Sequence, residues 1–221
     1  MKKYARLIDA LGASIVVPGT YMSRFEDGVV RAATDMAERE NVNLEKKLPL
    51  CRMGSIIEHA VCHALNTDDM WSRLSSQLDF KKRTYDIETI FKNTIDNKWF
   101  EKSIKIDTKT TNRYCDGDQF AFNDLSSKEY DGRPGANLRN FLSYSPETEL
   151  LVLAKRAGDL ELGGTNLVVP THVIHRDAFT NCRIHKTNYL NSPLWYIWYD
   201  EMIKAGYCVK INPSETTLTL K

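Results

Sequence analysis

Ser103-Ile104-Lys105-Ile106-Asp107-Thr108-Lys109-Thr110 is the stretch on which the fold turns. Ile104 and Ile106 alternate with Lys105 and Asp107, and the run is rich in β-branched residues, so it reads as a strand with one apolar and one charged face. A strand repeats its facing every second residue, which puts Asp107 and Lys109 on the same side. Thr108 points the other way, but its backbone carbonyl lies at the same edge.

Outward from this strand, the neighbouring runs supply a sheet and its cover. Lys81 to Ile90, with Tyr85, Ile87 and Ile90, reads as a strand. Asp96-Asn97-Lys98 reads as the turn between the two. Glu149 to Lys155 is a continuous apolar run, the mark of a buried central strand. Asn166 to Ile174 is another, interrupted by Pro170.

Upstream, residues 3 to 11 read as a short helix closed by Gly12, and Ala13 to Val17 as an apolar run ended by Pro18-Gly19. Met22 to Glu40 has the helical recurrence of Phe25, Val29, Ala32, Ala33, Met36 and Ala37. Asn41 to Leu50, ending at Pro49, predicts a loop. Ser55 followed by Glu58 is in capping-box register for a second helix. A further helix is expected over Asp68 to Leu78. Near the C-terminus, Ser192-Pro193 predicts a helix start, with Pro at the first helical position. Gly206 would close it, and Cys208 to Ile211 or Thr216 to Leu220 would add a last strand.

The expectation is an α/β fold, a mixed central sheet flanked by helices, with an N-terminal helical segment. All of 1–221 is taken as one domain: 1–50 helical, 51–176 the core, 177–221 a closing helix and strand. A chain of 221 residues is long enough for a sizeable core. Hydrophobic residues make up 42% and charged residues 27%, with a net charge of +1. A polybasic coat is excluded, so any nucleic-acid site must be a local patch.

Five cysteines, Cys51, Cys62, Cys115, Cys182 and Cys208, are widely spaced with no CxxC pair. A zinc ribbon is not expected, and the thiols read as reduced in a cytoplasmic protein. Asp9 interrupts the apolar run that follows Met1-Lys2-Lys3, which argues against an export leader. No run approaches the ~18 apolar residues of a membrane span.

Asp107 is suited to bind a metal ion, and Lys109 to touch an attacking water or a phosphate. Asp86 lies 21 residues upstream of Asp107 and comes alongside if the two segments pair; Glu88 is its competitor. Glu58 completes an acidic set if its helix packs against that sheet edge. The order of these elements resembles the PD-(D/E)XK nuclease superfamily, whose members share a mixed four-stranded sheet flanked by helices. By that resemblance Asp86 matches the first motif acid, Asp107 and Lys109 the acid and lysine of the second motif, and Glu58 the upstream helical acid. Tyr85 stands where many members carry proline. The resemblance covers roughly residues 50 to 176.

The implied activity is cleavage of phosphodiester bonds in duplex DNA by a restriction-like endonuclease. It would depend on Mg2+, with Mn2+ as a substitute, held by Asp86, Asp107, Glu58 and the Thr108 carbonyl. A homodimer would suit two-fold DNA. A non-catalytic nucleic-acid-binding, virion or assembly protein is the alternative, and an RNA nuclease a third. Lys81, Lys82, Arg83 and Arg113 flank the proposed motif strands and are candidates for DNA contact. His175 and Arg176 belong to a late basic rim with His172, Arg183, His185 and Lys186. His172 and His175 fall three apart on an extended run, on opposite faces, which disfavours a zinc site. Trp195, Tyr196, Trp198 and Tyr199 are expected in core or subunit packing.

Overall fold

A computed structural model describes residues 1–75, 85–93, 95–100, 102–110, 118–123, 147–161, 163–189 and 192–221. A 3-10 turn, Lys2–Tyr4, leads into α1 (Ala5–Ala10), β1 (Ser14–Val17), α2 (Gly19–Met22), α3 (Glu26–Glu40) and α4 (Leu44–Ala64). Strands β2 (Met70–Leu74), β3 (Ile87–Phe91), β4 (Ile104–Thr110) and β5 (Gln119–Asn123) follow. Then come β6 (Leu150–Gly158), β7 (Asn166–His175), α5 (Ala178–Asn181), β8 (His185–Tyr189), β9 (Ser192–Trp198), α6 (Tyr199–Lys204), β10 (Cys208–Lys210) and β11 (Thr217–Thr219).

Among the described residues the main sheet runs β11-β1-β7-β6-β4-β3-β2, with β10 also paired to β7. It is mixed: β2, β3 and β4 pair antiparallel, β4 and β6 parallel, β6 and β7 antiparallel. A smaller sheet has the order β5-β9-β8. The fold is therefore α/β on a mixed sheet, as the hydrophobic runs predict. No described helix is long and apolar enough to cross a membrane.

The alternation along β4 sorts the molecule into layers. Ile106 lies in one core with Ile56, Ile57, Ala60 and Val61 of α4 and Leu150 and Val152 of β6. On the other side, Asp107 and Lys109 stand level with Leu151 and Leu153. Those two leucines belong to a second core with Ile174, Phe179, Ile197, Tyr199, Met202 and Cys208. Full burial of a side chain the size of leucine stabilises by roughly 1.5–3 kcal/mol, so neither layer is optional.

Four expectations are corrected. First, no loop spans Asn41 to Leu50. Helix α4 begins at Leu44, capped by Asn43, whose side chain accepts from the Glu45 N–H at 2.9 Å. Pro49 rides inside it, although an interior proline usually costs about 3 kcal/mol. Ion pairs to α3 brace that start: Lys47 with Glu40, and Arg52 Nε to both Glu26 oxygens at 3.0 and 3.2 Å. Second, Ser55 is therefore a mid-helix residue and its capping-box register with Glu58 is coincidental. Third, Met70–Leu74 is a strand, because Met70 and Ser72 bury while Trp71 and Arg73 face out.

Fourth, Ser192–Trp198 is a strand rather than a helix. Its aromatic run suits a pleated surface, and β5 and β8 satisfy its backbone on both sides. Helix α6 starts only at Tyr199, with Asp200 and Glu201 in its first turn. The Ala13–Val17 run also enters the sheet as β1, between β11 and β7.

His172 is buried in the second layer, its ring stacked on Tyr199 at 4.0 Å and 6°. Burial, then the charges of Lys210 and Lys155, lower its pKa to about 4. The unfolded chain takes up that proton near 6.5. Stability should be full above pH 6.5 and fall as the pH drops towards 4, by up to roughly 3 kcal/mol. His172→Phe should flatten that slope in urea denaturation followed between pH 7 and 4. An unchanged slope would assign the acid sensitivity to other groups.

Candidate active site

The site is built where β3 begins and β4 ends. Ile87 pairs with Ile106 and Glu88 with Lys105. One residue before β3, the Asp86 N–H donates to the Ile106 carbonyl at 2.9 Å. That bond sets Asp86 beside Asp107. The Asp86 Oδ2 then accepts the Thr108 N–H at 2.7 Å and the Thr108 hydroxyl at 3.1 Å. A carboxylate holding two donors from one residue has its orientation fixed before any ligand arrives.

Asp107 keeps 13% of its side-chain exposure and Lys109 keeps 42%. The Lys109 ammonium donates to Asp107 Oδ1 at 2.8 Å and to the Thr108 carbonyl at 3.0 Å. Burial first, and the Asp86 carboxylate second, raise the Asp107 pKa well above the ordinary carboxylate range. Burial opposes the charge on Lys109. Asp107 and then Asp86 outweigh it and hold the amine protonated, with Glu58 adding to the effect.

Of the two acids near the start of β3, Asp86 adjoins Asp107 and Glu88 does not. Glu88 is buried and occupied: it accepts from Lys105 Nζ at 2.6 Å, Ser103 Oγ at 2.6 Å and Arg73 Nε at 2.7 Å. Burial opposes its charge, yet those donors, Lys105 foremost, lower its pKa to about 2. Lys105 also lies over the Tyr85 ring, 4.1 Å from its centre. This latch was not anticipated from the sequence. Its one signal was the spacing, since Lys105 shares a face with Asp107 and Lys109.

Glu58 is carried by α4, which packs on the Ile106 side of the sheet, and its charge bears on Lys109. Among the described residues, no group of three or more His, Cys, Asp and Glu side chains converges to hold a metal. The Thr108 carbonyl is already an acceptor for Lys109.

His175 faces away from Asp107, with its Nδ1 3.4 Å from Asp177 and its ring 6.0 Å from that of Tyr4. Arg176 donates to the Thr148 carbonyl at 3.1 Å, at the foot of β6. His185 pairs with Glu201 at 3.1 Å. The late histidines thus do not gather at one point. Lys81, Lys82, Arg83, Arg113 and most of the polar stretch 112–147 lie outside the described residues.

Compared with family models, curated proteins and solved structures, the chain matches none.

The Glu88 latch sets a pH window. Its pKa is near 2 folded and about 4.5 free, so its contribution is present above pH 4.5 and lost as the pH falls towards 2. Glu88→Gln should cost on the order of 2–3 kcal/mol at pH 7, measured by denaturant midpoint. The gap to the parent should shrink by pH 3. Equal losses at both pH values would mean that shape rather than charge is what Glu88 supplies.

Proposed function

We propose that this chain is a metal-dependent nuclease that hydrolyses phosphodiester bonds, with duplex DNA as its substrate and endonucleolytic cutting as its mode. The observation that carries the reading is the backbone bond from the Asp86 N–H to the Ile106 carbonyl, which sets Asp86 beside Asp107 on β4, with Lys109 paired to Asp107. The strands that hold them, β2-β3-β4-β6, form a mixed four-stranded run with α4 behind it. That arrangement is in keeping with the PD-(D/E)XK resemblance and its restriction-endonuclease-like core.

The oxygen donors fit a divalent cation. Two neighbouring carboxyls, one of them with its pKa raised by burial and by the other's charge, offer oxygen ligands that a cation would draw together. Asp86 and Asp107 would hold Mg2+ or Mn2+, with Glu58 as the outer acid; oxygen ligands of this kind suit both ions. When bound, the ion supplies an activated water and charge stabilisation at the phosphate. Thr108 keeps Asp86 aimed at that point. Lys109, held protonated, is placed to orient the water or neutralise charge on the phosphate. Cutting both strands would be met by a homodimer. Cys51, Cys62, Cys182 and Cys208 are free thiols, in keeping with the reducing cytoplasm.

Asp107→Ala and Lys109→Ala, made separately, should each slow Mg2+-dependent plasmid nicking by roughly 100-fold or more, with the circular dichroism spectrum unchanged. Parental cutting by both variants would end the assignment.

One feature favours a non-catalytic assembly role instead. The β3–β4 connection exposes Ile95 at 93%, Trp99 at 49% and Phe100 at 47%. Apolar groups gathered on a surface often mark a protein contact. Calorimetric titration separates the readings: the nuclease should take up Mg2+ or Mn2+ with a heat that Asp86→Ala abolishes. No heat, with or without DNA, would favour assembly.

A further inference from the structure

The face of the sheet that carries Asp107 and Lys109 continues past them. Lys109 stands level with Leu153, Leu153 with His172, and His172 with Lys210. This is one row across β4, β6, β7 and β10, and paired residues share a face. Leu153 and His172 are buried, His172 beneath Tyr199. Lys155, two residues beyond Leu153 on β6, is on the same face by strand alternation and is exposed, as is Lys210. The register shift after Leu153 adds its extra residue on β7, so the alternation along β6 is kept.

Four lysines lie within the strands of the main sheet, and these two differ from the other pair. Lys105 is matched by Glu88, Lys109 by Asp107 and Lys3 by Glu149. Lys155 and Lys210 have no ion-pair partner among the described residues. Both charges nonetheless bear on the same buried ring, that of His172. Two ammonium groups are thus placed on one face of the sheet, near one buried ring. Strand spacing near 4.8 Å and rise near 3.3 Å put the Lys155 Cα about 8 Å from that of Lys109, and about 12 Å from that of Lys210. Lysine side chains span the rest, on the scale of successive phosphates along a strand.

We propose that Lys155 and Lys210 form a phosphate-holding track that leads away from the Asp86–Asp107–Lys109 site and binds the backbone of the same DNA strand beside the scissile group. The track rests on the nuclease reading for its substrate. It goes further in giving the direction of the strand, from the end of β4 across β6 towards β10. The contacts are to the backbone alone, so they add affinity without sequence preference.

The test is fluorescence anisotropy of a labelled DNA duplex with Ca2+ in place of Mg2+, over a range of salt. Each phosphate contact contributes about 0.9 to the slope of log affinity against log salt. Lys155→Ala with Lys210→Ala should make that slope shallower by nearly 2. The parent then loses about 10-fold more affinity than the variant between 50 and 200 mM salt. A control pair at exposed lysines elsewhere, Lys46→Ala with Lys204→Ala, should keep the parental slope.

In plasmid cutting, the track variant should raise KM and leave kcat within a few-fold. Asp107→Ala should instead remove turnover. A track variant with the parental slope, or a control pair that loses as much, overturns the track while Asp107→Ala still decides the nuclease reading. A parent that does not bind the duplex overturns the track as well.

Discussion

Strand β4 has to serve two layers at once, and that constraint shapes the rest of the molecule. Its period of two allows no compromise: a shift of one residue would turn Ile106 out of its core and Asp107 into it. Ile106 is fully buried against α4, and the level partners of Asp107 and Lys109 are buried leucines of the second layer. Register is thus pinned from both sides by apolar burial. A charged triplet at residues 105, 107 and 109 can then be carried by a central strand. Its charges must be answered locally, because water reaches them only in part.

The answers differ by position, and the difference separates structure from chemistry. Lys105 is fully met: Glu88 takes its charge, and Glu88 is itself saturated by Ser103 and Arg73. A set satisfied in this way has no valence left for a ligand and serves to lock β3 to β4. At Asp107 the matching is incomplete. Two carboxyls meet one ammonium, and burial with the Asp86 charge raises the pKa of Asp107. A proton or a cation between the members of such a pair would relieve that repulsion. The Thr108 clasp on Asp86 prevents the other escape, rotation of one carboxylate away into water. Perturbed acids cluster at functional sites, although structural ion-pair networks shift pKa values as well.

The parts of this arrangement that were legible in the sequence are those set by local pattern. The alternation at Ile104 to Thr110 and the apolar runs of β6 and β7 predicted strands, and strands they are. The start of α4 was hidden because Pro49 reads as a breaker, while Ser55 and Glu58 mimic a cap. The helix carries Pro49 all the same, and its Arg52 is tied to Glu26 of α3, a pair too far apart in sequence for a local window. Strand β9 was hidden because Pro193 followed by Leu194, Ile197 and Trp198 fits a helical period as well as a strand. Only pairing with β5 and β8 decides between them. Asp86 and Glu88 were indistinguishable for a similar reason. Both precede or begin β3, and the choice depends on the register with β4, which brings Glu88 to Lys105 and Asp86 to Asp107.

Net charge hides the last feature. At +1 overall the chain has no general attraction for a polyanion, so any such attraction must come from how its charges are placed. Within the strands of the main sheet, Lys105 and Lys109 are each cancelled by a neighbouring acid. Lys155 and Lys210 are the departure, uncancelled among the described residues and on the face that holds the acid pair. Beside a site of two carboxyls, a polyanion is repelled unless something nearby offsets that charge. On the nuclease reading we propose, a cation at the acids would remove the repulsion at the phosphate, and a pair of ammonium groups one strand spacing and more away would supply the attraction. The two features then belong together: an acidic site takes an anionic substrate more readily where the same surface carries positive charge that its own acids leave unspent.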